Sequence, residues 1–200
     1  MPTLLIHRAR CIATQDDANT ELKDASLLIR DGRIERIIPA TENTDELLTQ
    51  VDEVIDARHH VVVPGLINTH HHMYQSLTRA IPGVQNAELF SWLQGLYPIW
   101  VGLTPEMVRV SGQVAMAELL LSGCTTSSDH LYIYPNGVRL DDSIEAAHTI
   151  GMRFTATRGS MSVGQSQGGL PPDSVVEQEP AILKETQRLI ETWHDASFGS

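Results

Sequence analysis

The chain has 200 residues, of which 14 are Lys or Arg and 25 are Asp or Glu, giving a formal net charge of −11. Hydrophobic residues make up 42% and charged residues 20%, a composition that excludes a disordered or low-complexity chain. The acidic balance argues against nucleic acid as a partner, because phosphate binding depends on clustered Lys and Arg. The apolar runs fall short of the ~18 residues of a membrane helix, so no membrane partner is expected.

The N-terminal residues lack an apolar stretch followed by a small-residue cleavage site, so a secretion signal is not expected. Two cysteines, Cys11 and Cys124, are too few for a disulfide framework and suit a reducing compartment. A cytoplasmic location is therefore the expectation.

The first 60 residues have a pattern typical of a small β-domain. An apolar segment at Thr3–Ile6 predicts a first strand. Asp31-Gly32 lies between two apolar runs and predicts a tight hairpin, because such a turn requires positive φ angles. The polar stretch that follows predicts a loop with a helical turn near Glu46–Gln50.

The next segment, Val61–Asn68, is a continuous apolar run that contains Pro64-Gly65. Such a run predicts a strand buried on both faces, as in a parallel sheet. Further along, Thr104-Pro105-Glu106 combines a capping Thr, a Pro at the first helical position and an acidic first turn, and predicts a helix start. The apolar residues that recur at helical spacing within this helix are Met107, Val110, Val114, Ala117 and Leu121.

Strands and helices alternate over the remainder of the chain. Strands are predicted at Thr125–Leu131 and Arg153–Arg158, and helices at Asp141–Ile150 and from Pro180 onward. A β-rich start followed by this alternation predicts a small β-domain joined to a parallel α/β unit. Long loops follow the predicted strands, in the position where parallel α/β folds build their active sites.

Three consecutive histidines, His70-His71-His72, directly follow the predicted strand Val61–Asn68. Because side chains alternate along a strand, His70 and His72 are expected to point one way and His71 the other. Two imidazoles on one side form adjacent corners of a metal site, and they suit Zn²⁺ and Fe²⁺ alike. The alternative interpretation is a polar strand end with solvated histidines.

The segment Ile55–His72 resembles the signature of the amidohydrolase superfamily, in which it joins a small β-sandwich to the first strand of a (β/α)₈ barrel. Three further segments, Met73–Arg79, Leu119–Pro135 and Arg158–Pro172, resemble the branch of the 8-oxoguanine deaminases. That branch is close to the hydroxyatrazine ethylaminohydrolases. The resemblance extends over nearly the whole chain.

The resemblance implies an α/β fold, namely the N-terminal part of a (β/α)₈ TIM-barrel metal-dependent hydrolase preceded by part of a small β-sandwich domain. Residues 1–60 would belong to the β-sandwich, and residues 61–200 would supply the first three or so βα units of the barrel. A complete barrel needs ~250 residues. We therefore expect the chain to be the front part of a longer enzyme and to be inactive by itself.

The resemblance also implies a chemistry. In the family, the histidines that match His70 and His72 bind one divalent metal, expected to be Zn²⁺ with Fe²⁺ as the alternative. The metal activates hydroxide for attack on an aromatic carbon that bears an amine. A Glu and a His move the protons. Both are expected beyond Ser200 together with the remaining metal ligands, so the catalytic residues stay unassigned.

Three residues near the predicted strand ends are candidates for substrate binding. Gln75 could hydrogen-bond a substrate carbonyl, or could be a polar residue at a helix start. His130 could face the pocket, or could form a structural hydrogen-bonded pair with Asp129. Arg158 could clamp a planar heterocycle, or could form an ion pair with an acidic loop.

The expected function is hydrolytic deamination of a small nitrogen heterocycle, with 8-oxoguanine as the leading substrate and urate and ammonia as products. The first alternative is removal of an alkylamine from a hydroxylated s-triazine, since the same metal and nucleophile would serve both reactions. The second alternative is an inactive truncated remnant. The full-length enzyme is expected to be a homo-oligomer.

Overall fold

A computed structural model describes residues 2–197 of the chain. The chain divides into two compact units, and the boundary lies between Pro64 and Gly65. The last three residues of the predicted barrel segment, 198–200, lie outside the described residues. No helix within the described part of the chain is long and apolar enough to span a lipid bilayer.

The first unit consists mainly of short strands. They are β1 (Thr3–Ala9), β2 (Cys11–Ala13), β3 (Glu21–Leu22), β4 (Ala25–Arg30), β5 (Arg33–Ile38), β6 (Glu53–Asp56) and β7 (Val61–Val62), with one short helix, α1 (Asp45–Gln50). One sheet has the order β5-β4-β1-β6 and the other has the order β3-β2-β7. The predicted hairpin is confirmed between β4 and β5, where Asp31 and Gly32 adopt φ angles of 51° and 74°.

The second unit alternates strands and helices. It contains β8 (Leu66–Asn68), α2 (Leu89–Trp100), α3 (Pro105–Leu121), β9 (Cys124–Leu131), α4 (Leu140–Ile150), β10 (Arg153–Arg158) and α5 (Glu179–Trp193), with a 3₁₀ turn at Met73–Thr78. The three strands form a parallel sheet in the order β10-β9-β8, in which Asn68 pairs with Ser127 and Arg158 with Leu131. The predicted α/β alternation is thereby confirmed. The carboxyl ends of the strands share one edge of the sheet.

The core of this unit holds the turn that follows the histidines. Tyr74 and Trp100 are fully buried, and their ring centroids lie 5.2 Å apart in an edge-to-face contact. Trp100 Nε1 donates a buried hydrogen bond of 3.1 Å to Thr78 Oγ1. A satisfied indole N–H in a packed core fixes both partners. The bond therefore anchors the 3₁₀ turn Met73–Thr78 to helix α2.

The expectation of one buried strand over Val61–Asn68 is wrong. The segment forms two separate strands, β7 and β8, which belong to different sheets and different units. Pro64 between them has no N–H to donate to a ladder. Val61 and Ile67 are 60% and 69% exposed. Both strands lie at an edge of their described sheet, which leaves their apolar side chains uncovered.

Helix α3 begins as predicted, because Thr104 Oγ1 accepts a hydrogen bond of 3.3 Å from the N–H of Met107. The apolar stripe that predicted the helix is nevertheless exposed, and it consists of Met107, Val110, Val114 and Leu121. The buried side carries three small residues, Ser111, Gly112 and Ala115, together with Val108 and Met116. A Cβ at Gly112 would lie only 3.3 Å from Cβ of Ala146 in α4. The two helices thus approach through small side chains, which turns the apolar stripe outward.

We predict that Gly65→Ala destabilises the protein. A Cβ at Gly65 would lie 2.5 Å from Cγ2 and 2.8 Å from Cβ of Thr125 in β9, so the added methyl group must push β8 away. The free energy of unfolding should fall by about 1–3 kcal/mol in urea denaturation of the full-length protein. Gly83→Ala is the matched control, because a Cβ there meets open space. Equal stabilities of the two variants would contradict the packing described for β8.

Candidate active site

The histidine cluster follows β8 on irregular backbone at the carboxyl edge of the sheet. Strand β8 ends at Asn68, so strand alternation does not arrange these side chains. The structure still brings His70 and His72 together, with ring centroids 5.1 Å apart and ring planes nearly perpendicular at 87°. His71 is half-buried, and burial lowers the pKa of its imidazole.

The imidazole of His72 is oriented by the main chain of the neighbouring strand. His72 Nδ1 lies 2.7 Å from the carbonyl oxygen of His130, near the end of β9. A carbonyl only accepts hydrogen bonds, so Nδ1 carries a proton, and in the neutral form of the ring the lone pair lies on Nε2. In return, the N–H of His130 donates to the carbonyl of His71 at 2.9 Å. His72 is thus held in the tautomer that a metal-ligating histidine requires.

A buried carboxylate fixes the next residue of the same segment. Asp129 is 1% exposed, and its Oδ1 accepts a hydrogen bond of 2.8 Å from the N–H of Met73. Burial raises the pKa of Asp129 to about 6, against the opposing effect of the hydrogen bonds from Met73 and Ser143. Asp129 therefore fixes the backbone that follows His72, and the carbonyl of His130 fixes the ring of His72.

Two further rings contact His72. The ring centroids of His130 and Tyr132 lie 5.2 Å and 5.4 Å from that of His72, and burial lowers the pKa of His130. The end of β10 passes close to these rings. A Cβ at Gly159 would lie 2.5 Å from Cβ of Tyr132 and 2.8 Å from Cδ2 of His130, so only glycine fits there. Sequence reasoning missed Tyr132, although its position two residues beyond His130 was a usable signal.

Gln75 lies beside the histidine pair. It belongs to the 3₁₀ turn and lines, with His70 and His72, an open cleft of about 500 Å³. Its Nε2 donates to the hydroxyl oxygens of Tyr132 and Tyr74 at 3.2 Å and 3.3 Å. A contact between Gln75 and substrate stays a prediction.

Arg158 belongs to a second cluster. Its side chain is 5% exposed, and Nη2 lies 2.5 Å from Oε1 of Glu177, in the segment before α5. Nη1 donates to the carbonyl of Gly159 at 2.9 Å, and the guanidinium carbon lies 4.5 Å from the ring centroid of Tyr134. The structure therefore contains the ion pair that was one of the two interpretations. Contact with substrate stays a prediction here as well.

His70 and His72 fit part of a metal site. Nε2 of His72 is free to act as a ligand, and the imidazole of His70 lies in ring contact with it. Within residues 2–197, no three or more His, Cys, Asp or Glu side chains gather into a group that could hold a metal ion. The histidine pair therefore supplies two ligands at most, and the others would have to come from outside the described residues.

Parallel βα units with paired histidines after a strand end are the features of (β/α)₈ metal-dependent hydrolases. The model of the Amidohydrolase family matches residues 61–199, and the chain belongs to that family. The predicted fold class, a partial amidohydrolase barrel preceded by part of a β-domain, is confirmed.

Individual relatives agree with this assignment. The chain is 46% identical over 176 residues to 8-oxoguanine deaminase from Pseudomonas aeruginosa, covering 87% of this chain and 38% of that protein. It is 33% identical over 204 residues to hydroxydechloroatrazine ethylaminohydrolase from Pseudomonas sp. strain ADP, covering 98% and 42%. A mutant of the atrazine chlorohydrolase TrzN from Arthrobacter aurescens TC1, complexed with zinc and atraton, superposes with a TM-score of 0.84 at 31% identity, covering 97% and 44%. The chain thus spans less than half the length of each of these relatives.

We predict that Asp129→Asn removes a pH dependence of stability. The pKa of Asp129 is raised from 3.8 to about 6 in the folded state, so the folded protein binds this proton more tightly than the unfolded chain does. The stability of the wild type relative to the Asn variant should therefore fall by about 2 kcal/mol as the pH rises from about 4 to about 7. Urea unfolding of the metal-free full-length protein measures this difference.

Asn retains an acceptor for the N–H of Met73, so the variant should fold. Substitution of the exposed Asp17 by Asn is the control and should show no comparable trend. A wild-type stability that stays parallel to that of Asp129→Asn across this pH range would contradict the raised pKa.

Proposed function

We propose that the protein containing these residues is a metal-dependent aminohydrolase that deaminates a small nitrogen heterocycle, with 8-oxoguanine as substrate and urate and ammonia as products. The observation that carries the proposal is the hydrogen bond from Nδ1 of His72 to the carbonyl of His130, which leaves Nε2 of the imidazole free beside the ring of His70. Identity of 46% to an 8-oxoguanine deaminase supports this choice of substrate.

His70 and His72 are the residues that would hold the metal. Zinc is favoured because the TrzN structure contains it, and Fe²⁺ is the alternative that imidazole ligands also suit. When bound, such a cation supplies the Lewis acidity that makes a water molecule reactive at neutral pH. The carbonyl of His130 holds the proton on Nδ1 of His72, and Asp129 fixes the backbone that follows. The Glu and His that move protons are proposed to lie beyond Ser200.

On the substrate side we propose Gln75, His130 and Arg158. The sequence predicts that Gln75 hydrogen-bonds a substrate carbonyl, but its Nε2 already donates to the hydroxyls of Tyr132 and Tyr74. The group that remains for substrate is Oε1, which would accept a hydrogen bond from a ring N–H instead. Burial lowers the pKa of His130, which favours a neutral imidazole. The Nε of Arg158 is buried and has no hydrogen-bond partner among residues 2–197, so one donor of this guanidinium is left unpaired beside the ion pair with Glu177.

A second candidate function is hydrolytic removal of an alkylamine from a hydroxylated s-triazine. It is favoured by the relationship to hydroxydechloroatrazine ethylaminohydrolase, which extends over 98% of this chain, and by the similarity to the TrzN structure that contains atraton. The histidine pair and the hydrogen bonds around it would serve both reactions equally.

A comparison of the two substrate classes tests the proposal. The full-length enzyme, loaded with Zn²⁺, should release ammonia from 8-oxoguanine with a kcat/KM at least about tenfold above that for alkylamine release from alkylamino-substituted hydroxylated s-triazines, a difference of about 1.4 kcal/mol. His72→Ala should abolish both the bound zinc and the turnover, while substitution of the exposed His148 by Ala should affect neither. Turnover of triazines with none of oxidised purines would overturn the choice of substrate.

A further inference from the structure

The ring of Tyr132 occupies a central place among the residues around the histidine pair. Tyr132 directly follows β9, and its ring contacts those of His72, His130 and Tyr74, with centroids 5.4 Å, 5.5 Å and 5.7 Å away. The contact with His72 is edge-to-face at 89°, a favourable geometry for two aromatic rings. Tyr132 therefore packs directly against the residue that would ligate the metal.

The hydroxyl of Tyr132 contacts the other side of the site. It accepts a hydrogen bond of 3.2 Å from Nε2 of Gln75, and burial raises its pKa, so the hydroxyl stays protonated. The neighbouring Tyr74 also accepts a hydrogen bond from Gln75, at 3.3 Å, but its ring packs against the rings of Trp100 and Tyr132. The side chain of Tyr132 thus contacts both His72, the proposed metal ligand, and Gln75, the proposed substrate contact.

The position of this ring is itself fixed. Gly159 leaves no room between the end of β10 and Tyr132, because a Cβ there would lie 2.5 Å from Cβ of Tyr132. The main chain on the other side is held by the hydrogen bonds between His130 and the segment His71–His72. A side chain held in this way transmits a defined orientation to its partners.

We propose that Tyr132 is a positioning residue that orients His72 through its ring and Gln75 through its hydroxyl. The substrate part of this proposal rests on the proposed function, whereas the metal part does not. Tyr132 acts on the reaction through its two neighbours and needs no contact with the reacting atoms. The ring contacts His72 and the hydroxyl contacts Gln75, so a different substitution can remove each contact.

Two substitutions in the full-length enzyme make this separation. Tyr132→Phe keeps the ring against His72 and removes the hydroxyl. The Zn²⁺ affinity of the apoprotein, measured by chelator competition, should be unchanged, while the KM for 8-oxoguanine should rise about fivefold with a smaller change in kcat. Tyr132→Leu also removes the ring and should lower the Zn²⁺ affinity about 10–100-fold. Should the Leu variant fail to fold, Tyr132→Met provides the same test with an unbranched side chain that adapts to irregular gaps.

A double substitution distinguishes positioning of Gln75 from general packing. Gln75→Leu removes the carboxamide through which the hydroxyl acts, so adding Tyr132→Phe to it should cause no further rise in KM. Tyr97→Phe is the matched control, because the Tyr97 hydroxyl contacts Sδ of Met161 at 3.4 Å instead of the site. It should leave both the Zn²⁺ affinity and the KM at wild-type values.

The proposal is overturned if the Leu and Met variants bind Zn²⁺ as tightly as the wild type, or if Tyr132→Phe has a wild-type KM. Additive effects of Gln75→Leu and Tyr132→Phe would also overturn it. Failure of the proposed function gives a different result, namely an enzyme without turnover of 8-oxoguanine. The Zn²⁺ measurements then still decide whether Tyr132 orients His72.

Discussion

The hydrogen bond from Nδ1 of His72 to the carbonyl of His130 determines what the rest of the site can do. It places the proton on one ring nitrogen and leaves the other free, which is the state that metal binding requires. The partner is a main-chain group near the end of the adjacent parallel strand, so the orientation of the ligand depends on strand register. A second hydrogen bond, from the N–H of His130 to the carbonyl of His71, fixes the same alignment of the two segments.

Several surrounding residues stabilise the register between β8 and β9. Asp129 binds the N–H of Met73 directly after the ligand, and Gly65 and Gly159 permit the close approach of β8 and β10 to the residues of β9 and its end. Trp100 donates a hydrogen bond to Thr78 and thereby anchors the 3₁₀ turn Met73–Thr78. Gln75 belongs to this turn and lies beside the histidines in the cleft. The proposed metal ligand His72 and the proposed substrate contact Gln75 are therefore ordered by one connected set of contacts.

Much of this arrangement is local in sequence and could be predicted. The capping Thr104 and the Asp31-Gly32 turn depend on short-range interactions, and the helix start and the hairpin that they predicted are present. The partner of His72 could not be predicted, because it lies 58 residues away and depends on strand register. The break at Pro64 and the exposed stripe of α3 were missed for a related reason. Apolar composition predicts an element but does not identify what covers it.

The tautomer of His72 is the most direct test of this account. Long-range ¹H–¹⁵N correlation spectra of the metal-free full-length protein report the protonation of each imidazole nitrogen, and loss of one signal set in His72→Gln assigns the residue. We predict that Nδ1 carries the proton and that the Nε2 resonance is the one that shifts when Zn²⁺ is added. A His72 protonated on Nε2, or a Zn²⁺-induced shift confined to Nδ1, would contradict it.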